Sequence, residues 1–200
     1  MKRLLTTLAI LAVISTGCND EPATNETDTV NTADNVEDVN YAARGQEIAD
    51  AAKAELGRNL VAAIKEYGVP TAVTYCNTHA IPLTDSMAKE YHAYIRRVTD
   101  KPRNPDNVAN DAEQQYINKA RKQLAGGEQP QPEVSEIRGR MVGYYPIVTN
   151  GMCLQCHGDK DKNILPETYA NIQRNYPDDK ATGYGENQLR GIWVIEMDKR

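Results

Sequence analysis

Two cysteines and a histidine form the group of residues in this sequence that is best suited to chemistry. They lie in the segment Cys153-Leu154-Gln155-Cys156-His157. Two thiols about one helical turn apart can add to the two vinyl groups of one porphyrin, and the adjacent imidazole can bind its iron. The pattern C-x-x-C-H is the attachment signature of c-type haem. The sequence therefore predicts one covalently attached haem c, held by Cys153 and Cys156, with His157 as an axial iron ligand.

Two other kinds of site share this pattern. A zinc ion would take Cys153, Cys156 and His157 plus a fourth ligand, and a thioredoxin-like redox pair would place C-x-x-C at a helix start. The sequence has no second C-x-x-C and no nearby H-x₃₋₅-H to complete a zinc site. No substrate-binding motif for a redox pair is evident. Haem is therefore the favoured interpretation, and the predicted export of the chain supports it, because haem is attached covalently on the outer side of the bacterial membrane.

The start of the chain predicts export. A short basic start is followed by an apolar run over 4–14, which is too short to span a bilayer and is typical of a secretory signal peptide. The segment Ser15-Thr16-Gly17-Cys18 resembles the bacterial lipobox, although Ser15 stands where that pattern prefers Leu. We therefore expect residues 1–17 to be a signal peptide and Cys18 to be lipidated. The protein would then be periplasmic or otherwise extracytoplasmic and anchored to a bacterial membrane; secretion without lipid is the alternative.

Charge is distributed very unevenly along the chain. Residues 19–40 hold seven acids and no Lys or Arg, whereas 41–200 hold 21 acids and 21 bases. The acidic segment has few large apolar groups and predicts a flexible tether, because it cannot bury enough surface to offset the entropy of ordering. The neutral remainder predicts one folded domain over 41–200. A nucleic-acid partner is disfavoured, since its binding surface would need a basic excess.

A fourth cysteine, Cys76, is left over once Cys18 is assigned to lipid and two thiols to haem. It is either a buried thiol acting as a small hydrophobe or a second iron ligand opposite His157. His79 lies three residues later and would share a helix face with Cys76, so it is an alternative ligand. Four methionines offer a third possibility: Met87, Met141, Met152 and Met197.

The coarse pattern of elements predicts an α+β fold, with helices first and strands later. Helices are expected at 41–67, ended by Gly68-Val69-Pro70, then at 70–79 with an interruption near Pro82, at 84–92, and at 108–125 with a capping box from Asn110 and Glu113. Lys101–Asn107 and 128–133 are expected as loops, and strands at 94–98, 140–148 and 191–197.

A wider set of residues resembles a known family. The matching segments are Tyr75-Cys76 with Ala80 and Pro82, Arg97-Val98-Thr99, Arg103-Asn104-Pro105, Tyr145-Pro146-Ile147, the C-x-x-C-H segment with Gly158, Tyr176-Pro177-Asp178, 181–184 and Gly191-Ile192-Trp193. The chain is similar over nearly all of 41–200 to monohaem c-type cytochrome domains with a PAS-like fold, long catalogued as a domain of unknown function and regarded as candidate haem sensors. The resemblance implies a haem held between N-terminal long helices and a PAS-like antiparallel sheet.

The resemblance also implies roles for individual residues. His157 and Cys76 would be the axial ligands; His79, which the family pattern does not require, leaves His/His ligation open. Arg97 and Arg103 would be partners of the haem propionates, with surface ion pairs as the alternative. The aromatic residues Tyr144, Tyr145 and Trp193 would either pack on the porphyrin or belong to the core.

These expectations favour a redox or gas sensor that acts by exchange of an axial ligand. A thiolate ligand keeps the reduction potential low, and two protein ligands leave no open iron site, so an enzyme is disfavoured. Two alternatives are a monohaem electron carrier and, less favoured, a peroxidase-like enzyme. As a sensor or as an electron carrier, the chain needs an unidentified redox or signalling protein as its partner.

Overall fold

The computed structural model describes residues 39–200. The predicted signal peptide, the lipidation site Cys18 and nearly all of the predicted tether lie outside these residues. Within 39–200, no helix has the length and apolar character needed to cross a membrane.

The first element is a helical hairpin. Helix α1 spans Tyr41–Glu90, but Gly68 interrupts it with a φ of 78° and a ψ of 164°, a conformation that is essentially restricted to glycine. The second arm folds back along the first, as the hydrogen bond from the Tyr75 hydroxyl to Asn59 Oδ1 at 3.2 Å shows. In a continuous helix, sixteen residues would span about 24 Å. The predicted end of the first helix at Gly68-Val69-Pro70 is confirmed.

The predicted interruption near Pro82 is wrong. The second arm, 69–90, runs through Pro82 without a non-helical residue. Proline removes one backbone hydrogen bond from a helix interior and frees the carbonyl four residues earlier. Here Pro82 and Thr78 are both exposed, so water can bind the freed carbonyl.

Four strands and three further helices follow α1. They are β1 (Ala93–Val98), α2 (Asp111–Ala125), β2 (Glu133–Ile137), β3 (Arg140–Val148), α3 (Gly151–His157), α4 (Pro166–Asn175) and β4 (Leu189–Asp198), with a short 3-10 turn at Pro105–Asn107. The predicted strands are present as β1, β3 and β4. The predicted capping box is also confirmed, and it makes α2 begin at Asp111 instead of 108, because Asn110 is the N-cap. Strand β2 and helix α4 were not predicted.

The strands form one antiparallel sheet in the order β1-β4-β3-β2, and each face is covered by a helix. The α1 arms pack on one face, where Ile48 and Met87 meet a core of Ile95, Tyr145, Trp193, Ile195 and Met197. Helix α2 packs on the other face, where Tyr116, Ile117 and Ala120 meet Val98, Val142, Tyr144, Ile192 and Val194. The α+β class is therefore confirmed. Tyr144 and Tyr145 lie in the core, on opposite faces of the sheet.

Candidate functional site

The Cys-x-x-Cys-His segment forms the short helix α3 at the end of β3. The Asn150 side chain caps this helix, since its Oδ1 accepts the N–H of Cys153 at 3.3 Å. Cys153 and Cys156 are half-buried free thiols, whereas Met152 and Gln155 are exposed. Both thiols therefore lie on one short helix near the protein surface, one turn apart.

The backbone on each side of α3 is tied to the loop before β4. Thr149 precedes the helix, and its Oγ1 donates to Gly185 O at 2.6 Å. After the helix, Tyr184 N–H donates to His157 O at 3.0 Å, and Gly183 N–H donates to Gly158 O at 2.8 Å. These bonds fix the position of His157 relative to 181–185.

Gly158 lets the chain pass closely behind His157. A Cβ at this position would lie 2.6 Å from both Leu154 O and the Asn163 Cβ, which is closer than side-chain atoms tolerate. The residue after the histidine therefore has to be small for the backbone bonds to Gly183 and Tyr184 to form.

The His157 imidazole is held in one tautomer. Its Nδ1 lies 2.7 Å from the carbonyl oxygen of Ala181. A carbonyl only accepts hydrogen bonds, so Nδ1 carries the proton and the lone pair of Nε2 is left for a metal. The Tyr184 ring stands edge-on to the imidazole at 6.4 Å. Burial, followed by the charges of Arg103 and Arg190, lowers the pKa of His157 well below its usual value, so the ring is neutral.

Cys76 lies on the second arm of α1 and faces helix α3. Val73, one turn earlier, packs with Ile164 and Ile172 in an apolar cluster that Cys156 also contacts. Asn175 Nδ2 donates to Thr74 Oγ1 at 3.2 Å. Burial raises the pKa of the Cys76 thiol, and the nearby Arg97 and Arg103 charges oppose that rise. The fold therefore brings the leftover cysteine near the motif.

The His79 side chain makes its contacts within the second arm of α1. Its exposed imidazole stacks on the Tyr75 ring at 4.1 Å with an interplanar angle of 7°. Its Nδ1 lies 3.0 Å from Tyr75 O and 2.6 Å from Thr78 Oγ1. Of these two residues, Cys76 and not His79 lies near the predicted attachment helix, close enough for its charge to affect the pKa of Cys156.

The four methionines are divided between the core and the surface. Met87, Met141 and Met197 belong to the apolar layer between α1 and the sheet, whereas Met152 is exposed on α3. Trp193 belongs to the same layer, beside Arg97 of the neighbouring strand β1.

The two arginines that were expected to contact propionates differ in their surroundings. Arg103 forms a bidentate ion pair with Asp179, at 3.0 and 3.2 Å, and also donates to Cys156 O at 2.6 Å. Arg97 is half-buried, and its guanidinium lies over the Trp193 ring. Within 39–200, no carboxylate lies at ion-pair distance from Arg97.

A third arginine, Arg190, was not selected from the sequence. Its guanidinium lies 5.5 Å from the centroid of the Tyr184 ring, and Nη1 donates weakly to Lys101 O at 3.3 Å. Its buried Nε has no hydrogen-bond partner among the described residues. No short-range sequence pattern marks this residue, because its contacts with Lys101 and Tyr184 depend on how the loops fold.

These residues fit a c-type haem. Two free thiols could supply the attachment atoms, and an imidazole with an available Nε2 together with the Cys76 thiol could supply iron ligands. Arg97 and the unpartnered Nε of Arg190 are donors that a propionate can satisfy. In the described part of the chain, no three His, Cys, Asp or Glu side chains converge as a metal-ion site.

Comparison with known proteins assigns the family. One solved structure, the crystal structure of the cyanobacterial heme-protein Tll0287, matches at 22% identity with a TM-score of 0.49, covering 74% of this chain and 96% of that one. No curated protein matches the chain. The model of the Tll0287-like family matches residues 20–197, and this chain therefore belongs to the Tll0287-like family.

Proposed function

We propose that this chain binds one haem c. The observation that carries the proposal is the His157 imidazole, whose Nδ1–H is held by Ala181 O at 2.7 Å while Nε2 stays free beside two unpaired thiols. The family to which this chain belongs carries the name of Tll0287, which is described as a cyanobacterial heme-protein, and this supports the same cofactor. Cys153 and Cys156 would hold the haem by thioether bonds, and the haem would supply an iron that gains and loses one electron.

The residues around the site would bind the haem and orient it. His157 presents Nε2 from one side, and Cys76 presents its sulfur from the second arm of α1. The guanidinium groups of Arg97 and Arg190 would form ion pairs with the haem propionates. The apolar cluster around Val73 and Ile172 excludes water behind Cys76. The haem would then lie between the helical hairpin and the antiparallel sheet, in a PAS-like arrangement.

The role that we propose is sensing of redox state or of a small gas by exchange at the iron. His157 and Cys76 would both hold the iron and leave no position for a substrate, so we expect no enzymatic turnover. Burial favours the neutral thiol of Cys76, which would make it the more weakly held of the two residues. The signal would pass to a separate protein partner from a lipoprotein anchored at Cys18 on the outer side of a bacterial membrane.

The test is optical and EPR spectroscopy of the full chain, matured with haem-attachment machinery, in both oxidation states and with carbon monoxide and nitric oxide. A sensor shows a change of axial ligand on reduction or displacement of Cys76 by a gas. Identical ligation in both states without gas binding rejects the sensor role.

The exposure of α3 favours a second candidate, electron transfer. Met152 is 40% exposed and Gln155 is also exposed, so an electron partner can approach the attachment helix. Rapid electron exchange with unchanged ligation, measured by stopped-flow reduction, supports this role over sensing.

A further inference from the structure

A buried ion pair lies behind the His157 imidazole. Arg103 Nε and Nη2 donate to Asp179 Oδ1 and Oδ2 at 3.0 and 3.2 Å. The two side chains are only 13% and 2% exposed. Burying charges costs free energy even when they are paired, so a pair at this position calls for an explanation beyond stability.

The ion pair is connected to His157 from two directions. Asp179 Oδ1 also accepts the N–H of Ala181 at 3.0 Å, and it is the carbonyl of Ala181 that holds His157 Nδ1. Arg103 Nη2 donates to Cys156 O at 2.6 Å, which holds the peptide group immediately before His157. The same pair thus fixes the group that orients the imidazole and the backbone that carries it.

We infer that Asp179 and Arg103 are positioning residues for His157, fixing the tautomer and rotation of the ring so that Nε2 points at the haem iron. This inference rests on the proposed haem function. Partners beyond the direct ligands orient a metal-binding histidine and raise its basicity, and their loss typically costs about 10- to 100-fold in metal affinity or activity. Neither residue touches the iron in this account. Arg103 accordingly has a role other than that of propionate partner.

A matched control exists elsewhere in the fold. Glu113 on α2 is also a fully buried carboxylate, pairs with an arginine (Arg96) and accepts a backbone N–H, that of Asn110, at 2.8 Å. It belongs to α2 and not to the network around His157. Glu113→Ala therefore removes the same kinds of contact as Asp179→Ala without touching the imidazole.

The experiment compares holoprotein of the wild type, Asp179→Ala and Glu113→Ala by EPR, potentiometry and thermal unfolding. Both variants should unfold at lower temperature. Only Asp179→Ala should split the low-spin ferric EPR signal into more than one species, because the imidazole is no longer held in one orientation. Its reduction potential should also rise, since the lost carboxylate charge and the oriented imidazole both stabilise ferric iron. Asp179→Asn, which retains an oxygen able to accept the Ala181 N–H, should give a smaller change in the same direction.

An unchanged EPR signal in Asp179→Ala, or an equal change of that signal in Glu113→Ala, would overturn the inference. If Asp179→Ala does not fold, Asp179→Asn against Glu113→Gln is read by the same criterion. Absence of covalent haem from the wild type is a different result, since it rejects the proposed function itself.

Discussion

The guanidinium of Arg97 lies 5.6 Å from the ring centroid of Trp193, its cross-strand neighbour on β4. Arg97, which has no carboxylate partner in the described part of the chain, thus lies on the sheet face that meets α1, near Cys76. A half-buried cation of this kind favours whatever negative charge comes to the site, whether thiolate or propionate.

Replacement of Arg97 should therefore lower the reduction potential of the holoprotein. In Arg97→Gln a positive charge near the iron is lost, and the ferric state, which carries one more positive charge, becomes relatively more stable. Potentiometry measures the shift. Arg140→Gln, which removes an arginine paired with Asp198 near the surface, is the control. Equal potentials for Arg97→Gln and wild type would contradict the placement of Arg97 beside the haem.

Substitution at Cys76 and at His79 should have different spectroscopic effects. Cys76→Ser removes the thiol that faces α3 and should abolish the thiolate character of the ferric optical and EPR spectra. His79→Ala removes an exposed ring stacked on Tyr75 and should leave both spectra unchanged. His92→Ala, at another exposed histidine, is the control for nonspecific effects. A spectrum altered by His79→Ala and not by Cys76→Ser would reverse the assignment.

Two glycines of the first α1 arm should respond oppositely to alanine. A Cβ at Gly45 would overlap the hydroxyl of Tyr145, which lies fully buried against this turn, whereas nothing lies within 4 Å of a Cβ at Gly57. Gly45→Ala should destabilise the fold by about 1–3 kcal/mol through overpacking. Gly57→Ala should stabilise it by about 0.5–1 kcal/mol, since alanine is the better helix former. Urea unfolding of the two variants decides the matter, and a stabilising Gly45→Ala would contradict the packing.

Tyr145 should make the fold sensitive to alkali. Burial raises its pKa to about 12 from an ordinary value of 10. Below pH 10 both folded and unfolded states keep the proton; between 10 and 12 the unfolded state loses it first, so stability falls as pH rises. Tyr145→Phe should lower the free energy of unfolding at neutral pH, because the hydroxyl donates to Ala42 O at 3.2 Å, and should flatten the slope above pH 10.

The control for the alkaline effect is Tyr94→Phe, which alters an exposed ring. The free energy of unfolding is measured by denaturant titration at a series of pH values. A slope above pH 10 that is equally steep in Tyr145→Phe and wild type would refute the assignment.

Local signals sufficed for most of the fold. Gly68-Val69-Pro70 marked the hairpin turn because it pairs a residue that tolerates positive φ with one suited to the first turn of a helix. The apolar run around Trp193 marked the central strand β4. The capping box at Asn110 and Glu113 marked the start of α2, although the preceding repeat had suggested an earlier beginning.

The missed elements had weaker or nonlocal signals. Strand β2 is a short edge strand rich in Glu and Ser, and its pairing depends on the tight turn at Arg138 and Gly139, with φ values of 53° and 78°. A glycine in the second turn position was the available clue. Helix α4 was missed although Pro166 stands in its first turn.

The site was only partly readable from the sequence. The spacing Cys153, Cys156, His157 is local, so its chemistry follows from the residues themselves. The contacts of Asp179 and Arg190 depend on how the loop before β4 folds against α3, and no short-range pattern encodes that. The same is true of the different orientations of Cys76 and His79, which are set by the packing of α1 against α4.

Covalent attachment of haem is tested by mass spectrometry of the denatured full chain, first intact and then after digestion. The chain is expressed together with haem-attachment machinery that loads a known c-type cytochrome in the same cells, then extracted with acidified organic solvent and digested. We expect one haem that survives extraction and maps to the peptide containing Cys153 and Cys156, and loss of that haem in the Cys153→Ala, Cys156→Ala double variant. A wild-type chain that carries no haem, or whose haem is removed by extraction, would contradict it.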